Sequence, residues 1–263
     1  MPTDAHGEAF TLYGVNGAAV AADVIARQCV VIKEFTYGER RCMNRPVNIT
    51  HVFGDRLNPL YLDDPYSEPF YLDPQQVLQF EFANPSASGA GSFSFALEAR
   101  KIQLEALNDR KTKDELAALR KRREKVFPFW VPLATSPVVS GVTLQVPGIT
   151  IPAGGVAEAL FMPTDDLQEI LITRIMATAL TAGVAGDTQE VFTVDIYDGK
   201  TYRLLNNQPI TLNCMGGPAT FPYILPTPWI LHPNSVVRAR FKNLITDATT
   251  DAFVTLQGCA VLK

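Results

Sequence analysis

At 263 residues, with 47% apolar and 19% charged side chains, the chain is long enough for two ordinary domains and has the composition of a folded globular protein. Its net charge of -4 supplies no global attraction to nucleic acid or to an anionic membrane surface. No apolar run approaches the roughly 20 residues of a membrane span and no signal-peptide pattern opens the sequence, so the expectation is a chain made in a cytoplasm with its thiols reduced.

In chain order, residues 1 to 17 are small and polar and read as an arm or a loosely held terminus. Ala18 to Arg27 stays open between a short helix, favoured by alanine, and a strand, favoured by Val20, Val24 and Ile25. From Gln28 to Leu97 the reading is β, broken by a turn-rich loop, His51 to Ser67, that holds Gly54, Pro59, Asp63, Asp64 and Pro65. Within it Tyr61 and Tyr66 suit a contact surface as well as loop packing.

The most informative stretch occurs twice. Glu68 to Asn84 (EPFYLDPQQVLQFEFAN) aligns without a gap on Thr227 to Asn243 (TPWILHPNSVVRARFKN). Pro69 falls on Pro228, Phe70 on Trp229, Leu72 on Leu231, Pro74 on Pro233, Phe82 on Phe241 and Asn84 on Asn243. Each copy reads as an extended entry anchored by an aromatic residue, a proline turn, and an alternating strand that ends at Asn. Leu78, Phe80 and Phe82 face inward in one copy and Val237, Ala239 and Phe241 in the other, which is the period of a half-buried antiparallel strand. Phe70 and Trp229 are the candidate core anchors. Upstream, Arg45 to Ile49 matches Gln208 to Leu212 and Val30 to Gly38 matches Val191 to Gly199; downstream, Phe93, Phe95 and Leu97 lie opposite Ala252, Val254 and Leu256.

Glu98 to Lys125 contains no Gly or Pro and is dominated by charge, with Ile102, Leu104, Leu107, Leu116 and Leu119 at mostly helical intervals. The spacing predicts one helix, or two with a turn at Asn108-Asp109. Its thin apolar stripe makes Leu107, Leu116 and Leu119 candidate assembly contacts. The basic tract Arg120 to Arg123 reads first as a solvated helix end that complements the macrodipole, and second as a phosphate-binding patch. Phe127 to Met162 returns to β character and either opens the second unit or completes the first. Asp165 to Met176 fits helix or strand by its apolar run, and its β-branched continuation favours strand.

The expected fold is therefore mainly β: two related antiparallel β-sandwich, jelly-roll-like units, 1–97 and 127–263, joined by a charged α-helical segment at 98–126. No catalytic pattern stands out. His6, His51 and His232 show no metal-ligand spacing, and Cys29, Cys42, Cys214 and Cys259 lack CxxC spacing and read as small core residues. There is no GxSxG, Walker or dinucleotide motif. The carboxylate pairs Asp63-Asp64 and Asp165-Asp166 are of a kind common in loops. The expectation is a protein that is not an enzyme and has no catalytic, cofactor-binding or metal site. A sugar-stacking module is the alternative, because Trp and Tyr faces pack on sugar rings.

The repeated segment, Pro-aromatic-x-Leu-x-Pro followed by Phe-x-Asn, resembles virion structural proteins of tailed bacteriophages, over about the last sixty residues and more faintly over Arg45 to Ile102. Gln75-Gln76 and Asn234-Ser235 occupy a turn where that family usually carries Gly. The resemblance implies a collar, neck, head-decoration or fibre-anchoring component of the virion that forms a homo-oligomer. Its implied partners are portal, adaptor, capsid or tail proteins, with no cofactor, membrane or nucleic acid involved.

Overall fold

Alternation of apolar and polar residues becomes strand through most of the described residues, as the period of two requires. The computed structural model describes residues 8–20, 31–37, 40–53, 70–72, 77–83, 92–103, 114, 117–118, 126–133, 148–161, 167–181, 191–198, 208–211, 214, 222–233 and 235–262. The first half contains β1 (Glu8–Val20), β2 (Val31–Tyr37), β3 (Arg40–Arg41), β4 (Val47–Asn48), a single-turn helix α1 (Thr50–Phe53), β5 (Phe70–Leu72), β6 (Leu78–Ala83) and β7 (Ser92–Gln103). The second half contains β8 (Val126–Pro132), β9 (Ile149–Ile151), β10 (Val156–Phe161), β11 (Leu167–Thr181), β12 (Phe192–Asp198), β13 (Ile210–Thr211), β14 (Tyr223–Leu231), β15 (Val237–Asn243) and β16 (Thr250–Leu262).

These strands form four sheets. In the first half, β5-β1-β7 make one, and β2 at the centre of the other is flanked by β3, β4 and β6. In the second half the orders are β14-β11-β16-β8, with β9 also on β16, and β10-β15-β12-β13. Every pairing of named strands is antiparallel.

Several expectations are corrected here. The N-terminal arm is a strand from Glu8, held by β7 from Glu8↔Gln103 to Val20↔Ser92. The same pairing takes Glu98 to Gln103 out of the expected helix, because cross-strand bonding to β1 outweighs a weak local helix preference. Asp114, Ala117 and Ala118 are helical and exposed, while Leu107, Leu116 and Leu119 lie outside the described residues. Residues 126–161 belong with the second half, since β8 and β9 pair with β16 and β10 pairs with β15. Among the cysteines, Cys42 is buried as expected, whereas Cys214 is exposed and Cys259 half-buried; Cys29 lies outside the described residues.

One hydrophobic cluster runs from Ile32, Cys42, Met43, Val47, Ile49, Val52 and Leu78 into the buried rows of β8 to β16. The β11-β16-β8 region shows how. Ala252 to Leu256 are all buried, and so are Arg174 to Ala177 and Phe129 to Leu133. A strand buried at consecutive positions is covered on both faces. One face carries Ala252, Val254 and Leu256, clustered with the inward row Val237, Ala239 and Phe241 of β15. The other carries Phe253 and Thr255, opposite Thr178 and Met176, and receives the first half.

Proline placement explains where this sheet stops. On β8, Phe129, Val131 and Leu133 alternate toward β16, and Leu133 donates its N–H to the Val254 carbonyl at 2.8 Å. The intervening positions point the other way. There Pro128 and Pro132 have no N–H, and the N–H of Trp130 between them goes to the Cys42 carbonyl at 2.8 Å. The outer edge of β8 is thus closed to further strands.

The end of β15 is fixed by a side chain. Asn243, 1% exposed, sits where β9, β10 and the β15–β16 turn converge. Its Nδ2 donates to the carbonyls of Ile151 (3.2 Å), Pro152 (3.1 Å) and Ala248 (2.9 Å), and its Oδ1 accepts from Ile245 N (2.9 Å) and Thr250 Oγ1 (3.2 Å).

Candidate functional site

Chemistry-bearing side chains concentrate at the junction of the two halves. Segment Arg40 to Phe53 of the first half crosses the outer edge and upper face of the β8-β16-β11 sheet. Met43 and Trp130 form a parallel bridge beside the Trp130–Cys42 backbone bond. Arg40 places its guanidinium 5.8 Å from the centroid of the Phe127 ring, a cation–π distance. At the far end, Asn48 Oδ1 accepts from the backbone N–H (3.0 Å) and hydroxyl (2.9 Å) of Thr50, which starts α1 by capping its first turn.

That turn carries His51, which is fully buried. Its Nδ1 lies 2.8 Å from Thr255 Oγ1 on β16 and its Nε2 lies 3.1 Å from Thr178 Oγ1 on β11. Neutral imidazole has one donor and one acceptor, so one hydroxyl accepts and the other donates, and both ring nitrogens are satisfied only while the ring is uncharged. Burial lowers the imidazole pKa from 6.5 to about 3. Burial also lowers the pKa of Arg45 below its ordinary value. Asn44 Oδ1 and Arg45 Nη1 are buried without a hydrogen-bond partner among the described residues.

Of the residues singled out from sequence, Trp229 is half-buried on β14 and packs against the core, less enclosed than an anchor should be. Its cross-strand partner is Ile172, just as Phe70 pairs with Leu12; the Phe70 side chain lies outside the described residues. His232 is a surface turn residue: Ser235 returns its N–H to the His232 carbonyl at 3.0 Å, and the ring Nδ1 sits 3.1 Å from Glu169 Oε1.

His51 was missed because it was read as the first residue of a turn-rich loop rather than as part of the helical turn Thr50–Phe53, and its two partners lie 127 and 204 residues away. Among the described residues no group of three or more His, Cys, Asp or Glu is placed to hold a metal ion, and no helix is long and apolar enough to cross a membrane. The exposed large apolar residues include Tyr223, Ile224 and Ile230 on the edge strand β14. The sequence matches no protein-family model and no curated protein.

Proposed function

We propose that this chain is a structural subunit of a virus particle, of the kind that tailed bacteriophages use as a collar or neck piece, a head decoration or a fibre anchor. It acts by assembling with copies of itself and with portal, adaptor, capsid or tail proteins, without catalysis or cofactor. The observation that carries this reading is strand order. Counting β8 and β9 together as first and β16 as eighth, one sheet runs sixth-third-eighth-first and the other second-seventh-fourth-fifth. That is the double Greek-key wrap of a jelly roll, an architecture shared by viral shell proteins and lectins.

The first half supports a duplication. Its sheets β5-β1-β7 and β6-β2-β4 follow the order of the last six strands of the second half. A register agrees as well: Phe10↔Leu72 answers Ile170↔Leu231. The irregularity between Leu12 and Gly14, where Ala99 and Glu98 pair, answers the one between Ile172 and Arg174, where Gly258 and Gln257 pair. Two like units in one chain double the contacts available to a symmetric ring or lattice. The charged segment 104–125 adds a contact through Leu107, Leu116 and Leu119.

Mass spectrometry of gradient-purified particles from cells carrying this gene tests the reading. The expected result is the chain at a symmetric copy number, and replacement of Leu107, Leu116 and Leu119 by Ser weakening self-association with the β circular-dichroism signal retained. Absence from particles combined with binding on a glycan array establishes the sugar-binding alternative instead, with Trp229 and Tyr223 of β14 as the first residues to vary.

A further inference from the structure

We infer that the junction of the two halves is an acid-sensitive latch, closed by His51 of α1 between the hydroxyls of Thr178 and Thr255. The contact is made by one side chain from the first half on two strands of the second, so its integrity reports directly on whether the halves are docked. Protonation turns both ring nitrogens into donors. The hydroxyl that had donated to the ring must then reverse and find another acceptor, and a full charge is placed in a site sealed from water.

The surroundings offer little to offset that charge. Helix α1 packs on β1 and β4 and bonds to β11 and β16. No titratable residue lies on β4. On β11, Arg174 shares the face of Thr178, and on β16, Asp251 shares the face of Thr255, its Oδ1 accepting from Thr150 Oγ1 at 2.7 Å. Arg174 stands two positions from Met176, the cross-strand partner of Thr255, and Asp251 two positions from Phe253, the partner of Thr178, so each is a diagonal neighbour about 8 Å from the nearer threonine. The sequence of β1 includes Glu8 and Tyr13. The sign follows from the lowered imidazole pKa: docking is at full strength above pH 6.5 and weakens as the pH falls toward about 3. Across that window the closed-to-open ratio drops about tenfold per pH unit.

The chain has two tryptophans, and Trp130 is buried at this junction. In the full chain carrying Trp229→Phe, which installs the residue of the aligned first copy, indole emission and acrylamide quenching report Trp130 alone. Between pH 8 and 4, Trp130 is expected to become accessible while the far-UV β signal persists. In a His51→Gln background, whose amide both donates and accepts without titrating, this step is expected to vanish. Should His51→Gln fail to fold, hydrogen exchange of the unaltered protein decides: at pH 5 relative to pH 8, after correction for intrinsic rates, amides of Ile49 to Val52 and Trp130 to Leu133 should lose protection while those of β12 and β15 keep theirs. Trp130 exposure that coincides with loss of the β signal, an unchanged transition in His51→Gln, or uniform loss of protection overturns the latch.

Discussion

Replacing Asn243 by Ala removes a side chain that ties the β9–β10 turn to the β15–β16 turn. Two accepted bonds are lost, one from the Ile245 backbone and one from the Thr250 hydroxyl, which is fully buried. The amide donations to Ile151, Pro152 and Ala248 go with them. A hydrogen bond contributes about 1 kcal/mol net, and a stranded buried polar group costs about 1 to 3 kcal/mol. Pro152 is exposed and Ala248 half-exposed, so water can replace their share. The bonds whose loss counts are those to Thr250 Oγ1, Ile245 N and the Ile151 carbonyl, at about 1 kcal/mol each, for a total loss on the order of 3 kcal/mol. Urea unfolding followed by circular dichroism should show this as a lower midpoint with an unchanged slope. Asn243→Asp sharpens the test. At neutral pH it sets a carboxylate oxygen against three carbonyls and should be less stable than Ala. Those carbonyls raise the folded-state carboxyl pKa above its ordinary value of about 3.9, so the variant's stability, relative to the parent at the same pH, is greatest in acid and lost as pH rises through the folded pKa. An Ala variant within 0.5 kcal/mol of the parent (about the error of such a difference), or an Asp variant that gains relative stability as the pH rises, refutes the reasoning.

Two further substitutions test the packing. At Gly258 an added Cβ would meet the Leu171 carbonyl oxygen at 1.7 Å, and backbone cannot step aside as a side chain can; Gly258→Ala should cost about 3 kcal/mol or more in the same urea assay. Phe241 is fully buried with its ring 5.7 Å from that of Phe192, so Phe241→Ala should cost about 3 to 5 kcal/mol, with Phe241→Leu recovering part of it.

What was legible in the sequence was local. The alternation of Val237, Ala239 and Phe241 against Arg238, Arg240 and Lys242 appears in the structure as a strand with that row buried. The terminal Asn of the repeated segment is the residue that fixes the end of β15. Misreadings arose where long-range pairing decides. Glu98 to Gln103 carries a helix-friendly composition, yet β1 lies alongside it from nearly ninety residues away. Glu8 to Gly17 looked too small and polar for a strand because its partner, β7, supplies the pairing that its own composition does not advertise. The junction was least visible of all. Consecutive buried residues on β8, β11 and β16 imply cover on both faces, but no pattern says that a helical turn carrying His51 provides it.

That two-sided cover governs how the molecule comes apart. A sheet shared between neighbours gives neither half a finished interior, so at neutral pH heat should melt the protein in one step, with calorimetric and van't Hoff enthalpies equal. A chain cut before β8 would leave one piece with Phe253, Met176 and Trp130 facing water and the other without a floor under Met43, Ile49 and Val52. Expressed alone, the pieces should aggregate; expressed together, they should find each other and recover the melting behaviour of the intact chain.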